Sequence, residues 1–210
     1  MKSVLISIKP KYCELIANGQ KTVEIRKNRP KIDAPFKCYI YCTKDNNLKN
    51  TDNNLWLMKS GYNWIGNGKV IGEFVCDDID EYQSEFYKGD TVFQAIYKYA
   101  DEDKDVLEAV ATNDGYDTGI LKNSALEFED IKKYIGLGDK TFYAWRISDL
   151  VIYDTPKDIG EFLKYNRSDD DCYYSDLGLA KPNNCKDCMR CVLTRPPQSW
   201  CYVEEMEAVK

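Results

Sequence analysis

The chain has 210 residues, of which 43% are hydrophobic and 30% charged, with a net charge of −6 and no histidine. That length and apolar fraction suit one domain with a sizeable core, while the acidity excludes a general grip on phosphate backbones. The missing histidine removes the commonest general base and every Ser-His or Cys-His nucleophile.

In chain order, Val4, Ile6 and Ile8 alternate with Ser3, Leu5, Ser7 and Lys9, which predicts a first strand. Pro10 suits a first helical position, Tyr12, Leu15 and Ile16 give the short helix one apolar face, and Gly19 supplies its stop. Val23 and Ile25 then alternate with Thr22, Glu24 and Arg26, so a strand of period two carries aliphatics on one side and a polar row on the other. Lys9, Lys21, Glu24 and Arg26 are expected to converge where these strands meet the helix.

Asn28 to Pro35 reads as a loop, and Phe36–Thr43 as the clearest strand, with Cys38, Ile40 and Cys42 on one face and Tyr39, Tyr41 and Thr43 on the other. Lys44 to Asn54 is a polar loop, and Leu55 to Gly68, with Trp56 and Trp64, resists assignment. Lys69–Cys76 is another strand. Residues 84–125 show no clear period, with a solvated charge run at Asp101–Asp105 and a turn signal at Asn113-Asp114-Gly115. Phe128–Ile135 has helical spacing and stops at Gly136. Phe142–Tyr153 is β-rich, Pro156 to Tyr165 is expected to be a helix with Ile159, Phe162 and Leu163 inward, and Ser199–Val203 is a terminal strand.

Charge is unevenly spread: residues 1–49 hold 11 Lys/Arg against 4 Asp/Glu, and the remainder 18 against 31. One basic patch on an acidic body suits local recognition of an anion or nucleotide better than wrapping of a long duplex. No apolar run reaches the roughly 18 residues of a membrane span, and Val4–Ile8 is cut off by Lys9-Pro10 before it resembles a signal peptide. A cytoplasmic protein with no membrane partner is the expectation, in which nine cysteines mean buried thiols or a metal site sooner than disulfides. Cys185, Cys188 and Cys191 repeat at two-residue spacing, and Cys172 or Cys201 would complete a four-thiolate structural zinc site. Unmetallated thiols and an incomplete iron–sulfur pattern are the alternatives. Cys13, Cys38, Cys42 and Cys76 sit in apolar patterns and are expected in the core.

Ser7-Ile8-Lys9-Pro10, followed by Gly19, Lys21, Thr22, Glu24 and Arg26, resembles the signature of the ASCH domain, and Arg195–Glu204 resembles the close of its longer bacterial and phage-type branch. The resemblance implies an α+β, PUA-like mixed β-barrel with peripheral helices. On that plan residues 1–210 form a single domain, with an insertion at about 84–140 and a Cys-rich segment at about 166–195 before the terminal strand. It also implies binding of RNA or a modified nucleotide, with Ser7, Lys9, Lys21, Thr22, Glu24 and Arg26 at the ligand. Tyr41, Trp145 and Ser199 are added as stacking or base-edge candidates. Some small family members resemble amidohydrolases acting on an acylated cytidine, and others are linked to ribonuclease activity, so Lys21 and Glu24 are the acid–base pair of an enzymatic alternative. Glu24 stands where the amidohydrolase motif carries a threonine. An inert protein-interaction domain is the third reading.

Overall fold

The computed structural model describes residues 1–44, 66–87, 90–97, 106–112, 115–136, 138–165, 177 and 191–206. The segment with Trp56 and Trp64, the charge run 101–105, and Cys172, Cys185 and Cys188 lie outside the described residues. The chain divides into two compact units, one of Met1–Ala17, Phe36–Phe74 and Leu150–Lys210, the other of Asn18–Pro35 and Val75–Asp149.

The first unit is built on a five-stranded sheet ordered β10-β1-β3-β4-β9, with β1 at Lys2–Ile8, β3 at Phe36–Cys42, β4 at Val70–Cys76, β9 at Ser148–Lys157 and β10 at Trp200–Glu204. β1 runs parallel to β3, with Val4 opposite Cys38 and Ile8 opposite Cys42, and antiparallel to β10. Strands in the middle of such a sheet are covered on both faces, and this explains the near-continuous apolar composition of β1 and β3. Val4, Leu5, Ile6, Cys38, Tyr39 and Ile40 are all fully buried. Helix α1 (Pro10–Ala17) starts on the predicted proline, and Gly19, with φ of 72°, takes the left-handed conformation that ends such a helix.

Leu5, Tyr39, Tyr41, Val70, Phe162, Leu193 and Val203 form one core cluster of this unit. Tyr39 meets Phe162 edge to face at 5.0 Å, and its hydroxyl accepts the Met206 backbone N–H at 2.8 Å, which satisfies a polar atom that burial would otherwise penalise.

The expected helix at Pro156 to Tyr165 is absent. Pro156 lies within β9, and only Ile159–Glu161 turns, as a 3-10 turn in a capping box between Asp158 and Glu161. The chain then stays extended because Leu163 and Lys164 bridge Val192 and Val203. Backbone pairing overrides the local helical pattern, although Phe162 and Leu163 still point inward.

The second unit contains a five-stranded sheet ordered β2-β8-β5-β6-β7, with β2 at Val23–Arg26, β5 at Ile79–Tyr87, β6 at Asp90–Tyr97, β7 at Val106–Thr112 and β8 at Lys140–Arg146; each strand runs antiparallel to its neighbours. The unassigned stretch 84–125 supplies much of this sheet and the short helix α2 (Ile120–Ser124). Helix α3 (Phe128–Ile135) buries Phe128, Ile131 and Ile135, the stripe its period predicts, and closes at Gly136. These residues join Ile25, Phe93, Val110, Phe142 and Ala144 in one cluster, where Phe93 stacks on Phe128 at 4.3 Å and meets Phe142 edge-on at 5.2 Å. Each buried phenylalanine contributes about 1.5–3 kcal/mol.

Candidate functional site

Antiparallel register decides which side chains share a face of the second sheet. Glu24 stands opposite Trp145 and Arg26 opposite Tyr143, while Tyr143 in turn stands opposite Glu81 of β5. Directly opposed residues project to the same side, their Cβ atoms about 4.5–5.5 Å apart. One face therefore carries Glu24, Arg26, Tyr143, Trp145 and Glu81, and the alternate residues Ile25, Phe142 and Ala144 fill the core on the other. The period-two pattern of the sequence, aliphatic against polar, is the cause of this division.

The polar row is not solvated. Lys21 is 2% exposed, Glu24 7% and Arg26 6%. Glu24 is shared by both cations: Lys21 Nζ lies 3.2 Å from its Oε2 and Arg26 Nη2 2.9 Å from its Oε1. Lys21 Nζ also donates to the Ser124 carbonyl at 2.7 Å. That carbonyl belongs to the last turn of α2, where backbone acceptors lack intrahelical partners and a cation is favoured.

Asp117 fixes the other end of α2. Its Oδ1 accepts the N–H groups of Gly119 and Leu121, and its Oδ2 that of Lys122. Thr22 is held through its backbone, its N–H donating to the Asn123 carbonyl and its carbonyl accepting from Ile147. Its own side is exposed, so the buried row begins at Lys21 and Glu24. Asp117 and Ser124 are partners that sequence reasoning missed. Ser124 acts through its backbone and has no residue-type signal, whereas an aspartate two residues before Gly119 is a recognisable helix-start cue.

Among the predicted contacts, Lys21, Thr22, Glu24, Arg26 and Trp145 belong to the second unit, and Ser7, Lys9, Tyr41 and Ser199 to the first. In the first unit, the Ser7 hydroxyl donates to the Pro197 carbonyl at 2.7 Å and its N–H to the Ser199 carbonyl at 2.8 Å, so this pair joins the start of the chain to its end. Lys9 is exposed, its carbonyl accepting the N–H groups of Tyr12 and Cys13 at the start of α1. Tyr41 corrects the stacking expectation: it is 5% exposed and packs in the first unit's core, with burial raising its hydroxyl pKa. Trp145 shares the face of Glu24 but is fully buried, and so offers no open ring for stacking.

Cys13, Cys38, Cys42 and Cys76 are all buried, as their apolar settings predict. Cys191 packs with Leu163 and Val192, and among the described residues no three metal-ligating side chains cluster. Among those residues, too, no helix is long and apolar enough to cross a membrane.

Residues 6–132, more than half of the chain, match the family model of the ASCH domain. No curated protein matches the chain significantly. Among solved structures, ASCH from Zymomonas mobilis is 16% identical with a TM-score of 0.42, the match covering 75% of this chain and 73% of that one. A tyrosine-to-phenylalanine mutant of the same protein gives 16% and 0.42, over 76% and 77%.

Proposed function

Because the chain belongs to the ASCH domain family, we propose that it is a binding module for RNA or a modified nucleotide, recognising its ligand through the Lys21–Glu24–Arg26 row. The observation that carries this reading is the sharing of Glu24, which stands on the face of β2 opposite the core residue Ile25, by two buried cations. A buried ion triad is costly to desolvate, and replacement by apolar residues is often neutral or stabilising, so fold stability alone is a weak reason to keep one. Recognition supplies another. In this reading the ligand meets only the small part of the Arg26 and Glu24 side chains left open, 8% and 9%: there Arg26 donates to a phosphate or carbonyl oxygen and Glu24 accepts from a base amine, while Lys21 keeps Glu24 oriented from beneath.

The same geometry argues against Glu24 as a proton shuttle. Each of its oxygens accepts from one cation, which leaves room for one more hydrogen-bond donor, but taking up a proton would disrupt the two ion pairs that hold the carboxylate. Binding therefore ranks above a ribonuclease or amidohydrolase reaction through this pair.

The test is titration of a labelled single-stranded RNA at low and raised salt, with the RNA checked for cleavage on a gel. Expected is salt-sensitive binding without cleavage, with a slope of about −0.7 per phosphate contact, weakened about tenfold or more in Arg26→Lys, whose point charge cannot reproduce the guanidinium fork. Absence of binding at low salt overturns the reading. Cleavage or deacylation lost in Lys21→Met replaces it with the enzyme.

A further inference from the structure

Beyond the end of β2 the chain turns through Asn28 to Asp33 and encloses, with Tyr143, an open cavity of about 320 Å³. None of its lining residues is part of the Lys21–Glu24–Arg26 row, but Tyr143 stands directly opposite Arg26 across the β2–β8 pair, so the cavity begins where the row ends. Its chemistry is mixed in a specific way. Arg29 and Lys31 are exposed cations on either side of Pro30, which is buried and anchors the loop; Asp33 and Asn28 add an acceptor and an amide, and the half-buried Tyr143 ring forms a wall.

An aromatic wall beside two cations is the combination that holds a nucleotide: the ring takes the base face, and the cations take the phosphate. The volume lies at the low end of small-molecule sites, about 300–1,000 Å³, which suits one nucleotide unit and not a run of several. Burial raises the Tyr143 hydroxyl pKa, Glu81 adds to the shift and Arg29 opposes it. The hydroxyl therefore stays a neutral donor at ordinary pH.

We propose that this cavity is a single-nucleotide subsite, stacking a base on Tyr143 and holding the attached phosphate with Arg29 and Lys31. The assignment rests on the RNA- or nucleotide-binding reading and extends it to residues outside the family signature. Asp33 and Asn28 are placed to meet ribose hydroxyls or base-edge groups.

The test uses the full chain and calorimetric titration with adenosine and uridine 5′-monophosphates, the matching nucleosides, and inorganic phosphate. Expected is binding of the monophosphates, weaker binding of the nucleosides, and a loss of about tenfold or more in monophosphate affinity in the Arg29→Ala/Lys31→Ala double variant. Tyr143→Phe should retain affinity, and Tyr143→Leu should lose the base-dependent part, on the order of tenfold, while leaving inorganic phosphate unaffected. Should Tyr143→Leu fail to fold, the exposed double variant decides alone. Monophosphates that do not bind, or that bind the double variant as well as the wild type, overturn the proposal. Parallel RNA titrations separate the two readings. RNA binding weakened by Arg26→Lys but untouched by the double variant removes the subsite and keeps the module. Monophosphate binding without RNA binding keeps the subsite as a site for free nucleotides and removes the RNA reading.

Discussion

Lys21 and Glu24, three residues apart, meet at 3.2 Å with Lys21 2% and Glu24 7% exposed, and the same ammonium reaches the Ser124 carbonyl at 2.7 Å. One side chain thus ties the entry of β2 to the end of α2. Removing one partner of a buried pair is costly because the other is left with uncompensated charge, typically about 3–5 kcal/mol. Lys21→Met should fall near the lower end, about 3 kcal/mol, since Arg26 still faces Glu24. Glu24→Gln should cost more, because two buried cations then lose their shared counter-charge. Urea unfolding midpoints check the order. Losses below about 1 kcal/mol in both would mean that the row is solvated and not enclosed.

The Arg146 ion pairs give the contrasting case. Its guanidinium forms two hydrogen bonds with Asp80, Nε–Oδ2 at 3.0 Å and Nη2–Oδ1 at 2.8 Å, and approaches Asp78 at 3.5 Å. The geometry is better than that of Lys21, but the Arg146 side chain is 49% exposed and Asp80 32%. Exposure decides the outcome, since solvent screens the gain and exposed pairs contribute about 0.2–1 kcal/mol. Asp80→Ala should therefore destabilise by less than about 1 kcal/mol, and the loss should shrink at high salt. A loss comparable to that of Lys21→Met would show that contact geometry outweighs burial here.

What the sequence made legible follows from how local each signal is. The helix from Pro10, the stop at Gly19, the two-faced strand from Val23 to Arg26 and the helix Phe128–Ile135 are written in adjacent residues, and all four stand in the structure. Pro156–Tyr165 misled because its period is helical, while the pairing of Leu163 and Lys164 with residues 29 and 39 positions away keeps it extended. The site divides likewise. The polar row was visible as alternation, but its burial, the Ser124 carbonyl beneath it and the confinement of Tyr41 to the core depend on contacts that no local pattern records. The Tyr143 cavity was missed because Tyr143 and the loop 28–33 are joined only through strand register.

Gly72 tests the packing of the first sheet. A Cβ there would stand 2.3 Å from the Val151 carbonyl oxygen, a backbone atom of the neighbouring strand β9 that cannot swing aside. Gly72→Ala must therefore push β4 and β9 apart or distort one of them. Forced overpacking of a fitted site typically costs about 1–3 kcal/mol, and the backbone contact puts this substitution at the upper end. Thermal unfolding of the variant should show a clear drop in Tm, whereas a neutral substitution would refute the close approach of the two strands. Gly160, where a Cβ would meet nothing within 4 Å among the described residues beyond its chain neighbours, is the control and should tolerate alanine.

The pH dependence of stability should carry a mark of Cys76. This thiol is fully buried, and burial foremost, with the neighbouring Asp77 and Asp78 charges, pushes its pKa up to about 12 from an ordinary 9.0. The unfolded chain, where the thiol is solvated, releases the proton at lower pH than the folded chain. The folded state then binds more protons between the two values, so stability falls as pH rises. Its contribution is complete below about pH 8.5 and declines from there toward pH 12. Other groups titrate in the same range, so the comparison must be with Cys76→Ala, which is destabilised at pH 8 by the lost side-chain volume but lacks this slope. Urea midpoints at pH 8, 9.5 and 10.5 should converge for the two proteins as pH increases. Parallel curves would show that the thiol ionises as freely in the folded chain as in the unfolded one, which its burial forbids.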